Sequence, residues 1–231
     1  MRLVILQPGY LPWLGFFDQL AKADLFVYYD DVQYDKGGWR NRNRIKSPTG
    51  PQWLTVPVIT KGHFGQRLNE VEVDLRSPWW KKHAGALRQN YQKTPFYKEY
   101  SDHLESILEK GHKLLVDLDL DLCAELARIL GIGTNTVLSS QLGILDDDPT
   151  ERLLRICKHF SADRYLTGDS AEEYLDEERF AREGITVEYQ KYRHPEYRQL
   201  QGAFIPYLSV VDLLFNHGQE SLGILTGKKT A

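Results

Sequence analysis

The sequence predicts an α/β fold, an open and mostly parallel sheet flanked by helices, with a β-hairpin-like insertion and a helical segment between its two halves. Three observations predict it. The first apolar run, residues 3–6, lacks alternation, as a strand covered on both faces does. Strand-like and helix-like stretches alternate at both ends of the chain. Between them, residues of about 46–76 read as paired strands and residues of about 77–131 as helices alone.

Taken in order, the first strand is broken by Pro8, Gly9 and Pro12, and a helix follows over 13–22 with Leu14, Phe17, Leu20 and Ala21 on one face. A second strand covers 25–29, so residues 3–29 form a βαβ unit with a parallel pair, the Rossmann-like signature. Gly37 and Gly38 turn the chain into residues 39–45. Residues 53–59 and 69–75 read as the two strands of the insertion, the second alternating and half exposed. Ser77 and Pro78 read as a helix start, with the serine as cap. Helices follow over 79–91, 96–109 and 114–130, the last two ended by Gly111 and Gly131. A short strand at 136–139 precedes a helix at 149–160, capped near Asp148 or Thr150. A strand at 164–167, short helical pieces at 171–175 and 178–183, a strand at 185–189 and a helix at 210–218 begun by Ser209 complete the pattern. Residues 1–231 read as one domain with a frayed end at 227–231.

Composition bounds the function. Of 231 residues, 42% are hydrophobic and 26% charged, enough for a core without staples. The net charge of -3 leaves no global nucleic-acid footprint. The opening apolar run is too short for a signal segment, and no run suits a membrane span, so a soluble, cytoplasmic protein is expected. Cys123 and Cys157 sit in apolar helical surroundings and read as reduced core residues.

The chemistry concentrates in residues 7–44. Asp30 and Asp31 end the second strand, where open parallel sheets place ligands, and suit binding of hydroxyls, an amine or a metal, or base catalysis; the alternative is a solvated turn. Arg42 and Arg44, with Arg40 on the other parity, form the densest cationic patch, interleaved with Asn41 and Asn43 and preceded by Trp39. Arginine matches phosphate or carboxylate bidentately, so a phosphorylated or acidic small molecule is the expected guest. A basic turn paired to nearby carboxylates is the plainer reading, and single-stranded nucleic acid is disfavoured by the acidic net charge. Gln7, Tyr10 and Trp13 line the loop after the first strand. His194, beside Pro195, is an acid–base candidate, with Tyr197 and Gln199 close behind it in sequence. Asp169, after the 164–167 strand, is a crevice candidate or a helix cap. Ser209, Asp212 and Asn216 share one helical face. The chain contains no GxGxxG, GxxxxGK[ST] or GxSxG motif, and its seven histidines show no metal-ligand spacing.

The ordered blocks QPGYLPWLGFFDQL, DLFVYYDDVQY, GWRNRNRI, WLTVP, YLTG, HPEYRQL and FIPYLSVVDLLFNHG resemble the WbqC-like proteins over nearly the whole chain. That resemblance implies a setting in bacterial O-antigen and surface-polysaccharide assembly rather than a mechanism. Carried over position by position, it marks Gln7, Pro8, Pro12, Trp13, Gly15, Asp30, Asp31, Trp39, Asn41, Arg42, Asn43, Arg44, His194, Tyr197, Gln199, Asp212 and Asn216. Leu6 stands where some members carry a histidine, which puts a histidine role at that position in doubt. A weaker, fold-level likeness is to pantothenate synthetase-type nucleotidylyl transferases, whose signature histidines are missing at residues 11–15. The expectation is a transferase or ligase working on a phosphorylated or nucleotide-linked small molecule such as an activated amino sugar. Acyl or aminoacyl transfer is the reaction in view, and the cofactor is left open. Asp30, Asp31 and His194 would be catalytic; Gln7, Tyr10, Trp39, Asn41, Arg42, Asn43, Arg44, Asp169, Tyr197, Gln199, Asp212 and Asn216 would bind substrate. The alternative is a non-catalytic binding or scaffold partner of glycan-assembly enzymes.

Overall fold

A computed structural model of the chain describes residues 1–227. Beyond Gly227, the expected frayed end lies outside the described residues. Two compact units emerge: residues 1–7, 18–31 and 133–193 form the first, and residues 8–17, 32–132 and 194 onward form the second.

The first unit is the parallel sheet. Its strands are β1 (Arg2–Leu6), β2 (Leu25–Tyr28), β5 (Asn135–Leu138), β6 (Arg164–Thr167) and β7 (Thr186–Tyr189). They lie in the order β5-β2-β1-β6-β7, every pair parallel. Leu3, Val4, Phe26 and Val27 are fully buried, which is why unalternating apolar runs became strands here. Helices α5 (Pro149–His159) and α6 (Glu177–Arg182) supply Leu153, Ile156, Cys157 and Phe180 to the core, where Phe180 stacks on Tyr165. The Asp148 carboxylate caps α5 by accepting from Thr150 N and Glu151 N at 2.9 and 3.1 Å, with Pro149 in the first turn. The strand order reverses between β1 and β6, the topological switch point of such sheets. Helix α1 (Leu14–Lys22) is divided between the units after Phe17.

The second unit pairs a β-hairpin with helices. Strands β3 (Arg42–Ser47) and β4 (Gly50–Thr55) are antiparallel, in register from Arg42 opposite Thr55 to Ser47 opposite Gly50. The expected hairpin is present, but its strands are not the expected 53–59 and 69–75. Residues 53–59 end as a strand at Thr55, and residues 69–75 form a 3-10 turn (Leu68–Glu70) with isolated bridges such as Val58 to Val73. The Pro48–Thr49 turn folds the RNRIKS run directly back on its neighbour, and Pro57, lacking an N–H, cannot continue the ladder. Helices α2 (Trp79–Tyr91), α3 (Tyr97–Glu109) and α4 (Leu115–Leu130) follow, α3 packing on both others through fully buried residues such as Leu104, Leu118 and Leu122. The expected Ser77 cap is absent: helix α2 starts one residue later, at Pro78 as its cap residue, with no side-chain bond. Gly131 ends α4 at φ 75°. Helix α7 (Val210–His217), capped by the Ser209 side chain, and α8 (Ser221–Thr226) close the unit. Cys123 and Cys157 are both free and buried. No helix among the described residues is long and apolar enough to cross a membrane.

Candidate functional site

In the first unit the carboxyl ends of the strands carry the polar groups. Gln7 follows β1, Asp30 and Asp31 follow β2, Ser139 and Ser140 follow β5, and Asp169 follows β6. The acid pair is buried and heavily bonded. Asp30 accepts from Ser139 Oγ and Ser140 N, both at 3.0 Å, and from Ser140 Oγ at 2.6 Å. Asp31 accepts from Ser139 Oγ and, at 2.6 Å, from Arg152 of α5. The Arg152 guanidinium lies 4.8 Å over the Tyr29 ring and donates to the Ile144 carbonyl. Buried carboxylates need such compensation, and here the protein supplies it. Asp169 is exposed and accepts from Lys191 N at 2.7 Å.

In the second unit the loop after Gln7 is fastened along the residues before and within β3. Tyr10 N donates to the Arg40 carbonyl, Arg40 donates to the Pro8 carbonyl, and Asn43 Nδ2 donates to the Leu11 carbonyl at 2.7 Å. Gly9 has no room for a side chain there: a Cβ would stand 2.8 Å from the Trp39 carbonyl oxygen. Asn41 likewise donates to the Val56 carbonyl. Asn41 and Asn43 therefore brace backbone. Tyr10 is fully buried and its hydroxyl bonds His83 Nδ1 at 2.8 Å. Burial pushes the His83 pKa down to about 4, opposed by a hydrogen bond to the Thr55 backbone.

A second buried network joins most of the late candidates. Asp212, inaccessible to solvent, accepts from Tyr91, Tyr197 and Gln199 at 2.8–2.9 Å. Gln199 in turn accepts from Lys46 Nζ at 2.8 Å, and Asn216 donates to the Asp212 carbonyl. Burial raises the Asp212 pKa, against its three donors and Lys46. The His194 ring stacks on that of Tyr197, with centroids 6.2 Å apart. Its Nδ1 faces the Pro195 carbonyl at 2.9 Å, and its Nε2 accepts from Tyr207 N at 3.1 Å. That pairing selects the neutral ring protonated at Nδ1, and burial lowers its pKa in the same sense.

The exposed part of the constellation is the β3–β4 face. Arg42 and Arg44 share one parity of β3, opposite Thr55 and Trp53. Trp39 and Trp53 are close to half exposed, with ring centroids 5.3 Å apart. The Arg42 guanidinium lies 4.6 Å from the Trp53 centroid; that of Arg44 lies 5.5 Å from Trp39 and 5.7 Å from Trp53. Arg42 also donates to the carbonyls of Gly37 and Gly38, so it staples the preceding turn. Arg44 donates to the Tyr207 carbonyl at 3.2 Å, and its buried Nε has no acceptor.

Sequence reasoning missed several partners. Arg152 lies among the apolar residues of α5, and Lys46 extends the arginine parity of β3 inward; a charge on a core face was the signal for each. Asp119 sits on the buried stripe Leu115, Leu118, Leu122 of α4, with neither carboxylate oxygen bonded. Burial raises its pKa well above the usual carboxylate range, the charge of Arg40 opposing. Among the described residues no group of three or more His, Cys, Asp or Glu side chains is gathered as for a metal ion.

Comparison with known proteins adds kinship. The model of the WbqC-like protein family matches residues 7–224. An uncharacterized protein of Mycobacterium tuberculosis, Rv1507c, is 42% identical over 224 residues, covering 95% of each chain. No solved structure is a significant match.

Proposed function

The chain belongs to the WbqC-like protein family, and from that premise we propose that it is a group-transfer enzyme for a phosphorylated or nucleotide-linked small molecule, such as an activated amino sugar of bacterial surface-glycan biosynthesis. The observation that carries the reading is the β3–β4 face. Two guanidinium groups lie between and over two half-exposed indoles. Indole faces accept a planar ring, and guanidinium edges accept phosphate oxygens in pairs. In acyl or aminoacyl transfer, a substrate amine attacks the donor carbonyl, a base takes the amine proton, and the donor's thiolate or ester oxygen departs as its bond to the carbonyl carbon breaks and the amide forms. Asp30, Asp31 and His194 remain the acid–base candidates, each under a constraint. Asp31 is held by Arg152, Asp30 by two serines, and His194 takes a proton at Nε2 only after releasing Tyr207 N.

A specific observation favours the second reading, a binding partner of glycan-assembly enzymes: Trp39, Trp53 and Phe64 are all exposed aromatics. One experiment separates the two. Thermal stability is followed against ATP, CTP, UDP- and dTDP-sugars, aminoacyl donors and acyl-CoA, each with and without Mg2+. A ligand at a hundred times its dissociation constant stabilises by about 2.7 kcal/mol. The enzyme reading expects a nucleotide-linked hit that Arg44→Ala weakens by roughly 1.5–3 kcal/mol. Silence across the panel from folded protein would transfer the weight to the partner reading.

A further inference from the structure

A cleft of about 730 Å3 opens in the second unit between residues 33–36 and the loop at 60–66. That is the size of small-molecule sites, ~300–1,000 Å3. No role assigned above uses it. Backbone pairing builds its walls: Tyr34 N donates to the Gln66 carbonyl at 2.9 Å, Leu68 N to the Val32 carbonyl at 2.8 Å, and Gln33 bridges Arg67. On the loop, His63 and Phe64 stand between Gly62 and Gly65, both at positive φ, 84° and 75°. L side chains rarely adopt that backbone, so the loop tip is shaped by glycine on each side.

The lining chemistry is unusual for an apolar pocket. Gln33, Asp35, Lys36, Thr60 and Gln66 supply donors and acceptors of both kinds, and the charges are of both signs. Phe64 is fully exposed at the rim. An aromatic plate beside amides, a hydroxyl and a carboxylate complements a ring with an apolar C–H face and a hydroxyl-bearing edge. It suits neither an anion alone nor an apolar guest. The cleft is also continuous along the chain with the arginine–tryptophan face. Lys36 is followed by Gly37 and Gly38, whose carbonyls Arg42 caps, and then by Trp39. Burial and then the charge of Asp119 raise the Tyr34 pKa, with Asp35 adding to the shift and Arg42 opposing it, so the charges of both segments reach this one hydroxyl.

We propose that this cleft is a sugar subsite, in which Phe64 stacks on the ring, Gln33 and Gln66 bond hydroxyls, and Asp35 takes hydroxyls or the ammonium of an amino sugar. This rests on the reading of the β3–β4 face as the nucleotide or phosphate clamp, and divides the substrate between the two. The test is calorimetric titration with UDP, dTDP, their hexose and hexosamine conjugates, and the free hexosamines. Phe64→Ala and Asp35→Asn, both at exposed positions, should each weaken the conjugates about tenfold and leave UDP and dTDP within twofold. Conjugates unaffected by either variant, or nucleotides weakened equally, would overturn the subsite while leaving the clamp. Free hexosamines binding in a Phe64-dependent way without any nucleotide binding would keep the subsite and overturn the clamp. No binding by any of these probes would overturn both.

Discussion

Asp31 illustrates what a single residue's surroundings decide. Its carboxylate is buried and paired with Arg152, whose guanidinium is equally buried. Removing one partner leaves an unpaired buried charge, so Arg152→Met should destabilise by roughly 3–5 kcal/mol in chemical denaturation. A loss below about 1 kcal/mol, as for an exposed pair, would contradict the pairing. The acid pair was legible in sequence from its place at a strand end. Its partner was not, because 121 residues separate them and only the sheet order brings them together. His83 carries a pH prediction. Its pKa is depressed from 6.5 to about 4 by burial, so the unfolded chain binds the proton first. Stability from this group is full above pH 6.5 and is lost as pH falls toward 4, on the order of 3 kcal/mol. Melting temperature measured from pH 7 to 4.5 should therefore fall less steeply in His83→Gln than in the parent; parallel curves would exclude this contribution.

At the scale of elements, the hairpin β3–β4 is where reading from sequence and folded chain part. RNRNRIK reads as a charged turn because its polar residues predominate, and strand periodicity shows only in the buried positions Asn43 and Ile45. Pairing with residues 50–55 makes it a strand, and Asn43 becomes a brace for the Leu11 carbonyl. Leu11 itself has φ 44°, unusual for a branched residue, and its conformation depends on such bracing. Asn43→Ala should cost about 1–3 kcal/mol, the penalty of an unsatisfied buried group. A variant as stable as the parent would remove the brace from the account. The long helices, by contrast, were legible almost to their ends, whereas α8 was not expected and the helical piece expected at 171–175 is a 3-10 turn over Asp169–Glu173. Their apolar stripes follow 3.6-residue spacing, and glycines such as Gly131 stop them at a left-handed backbone position that glycine takes without a Cβ penalty.

On the scale of the whole chain, alternation of strand and helix at both ends was enough to foretell a parallel sheet, since parallel strands require long crossovers. The division into two compact units was not legible, because each unit is assembled from three separate stretches. The candidate positions divide accordingly. Gln7, Asp30, Asp31 and Asp169 belong to the sheet unit, and the other candidates to the hairpin and helix unit. Many of the latter are buried braces, while Trp39 and Trp53 are exposed and the partly buried Arg42 and Arg44 pack against them. In the function proposed above, this group binds a nucleotide-linked anion. Trp39 and Trp53 give it a direct readout, intrinsic tryptophan fluorescence during titration with UDP- and dTDP-sugars. Saturable quenching that is reduced in Trp53→Phe and lost in Arg44→Ala is the predicted result. Unchanged fluorescence from the folded protein, or quenching that persists in Arg44→Ala, would contradict it.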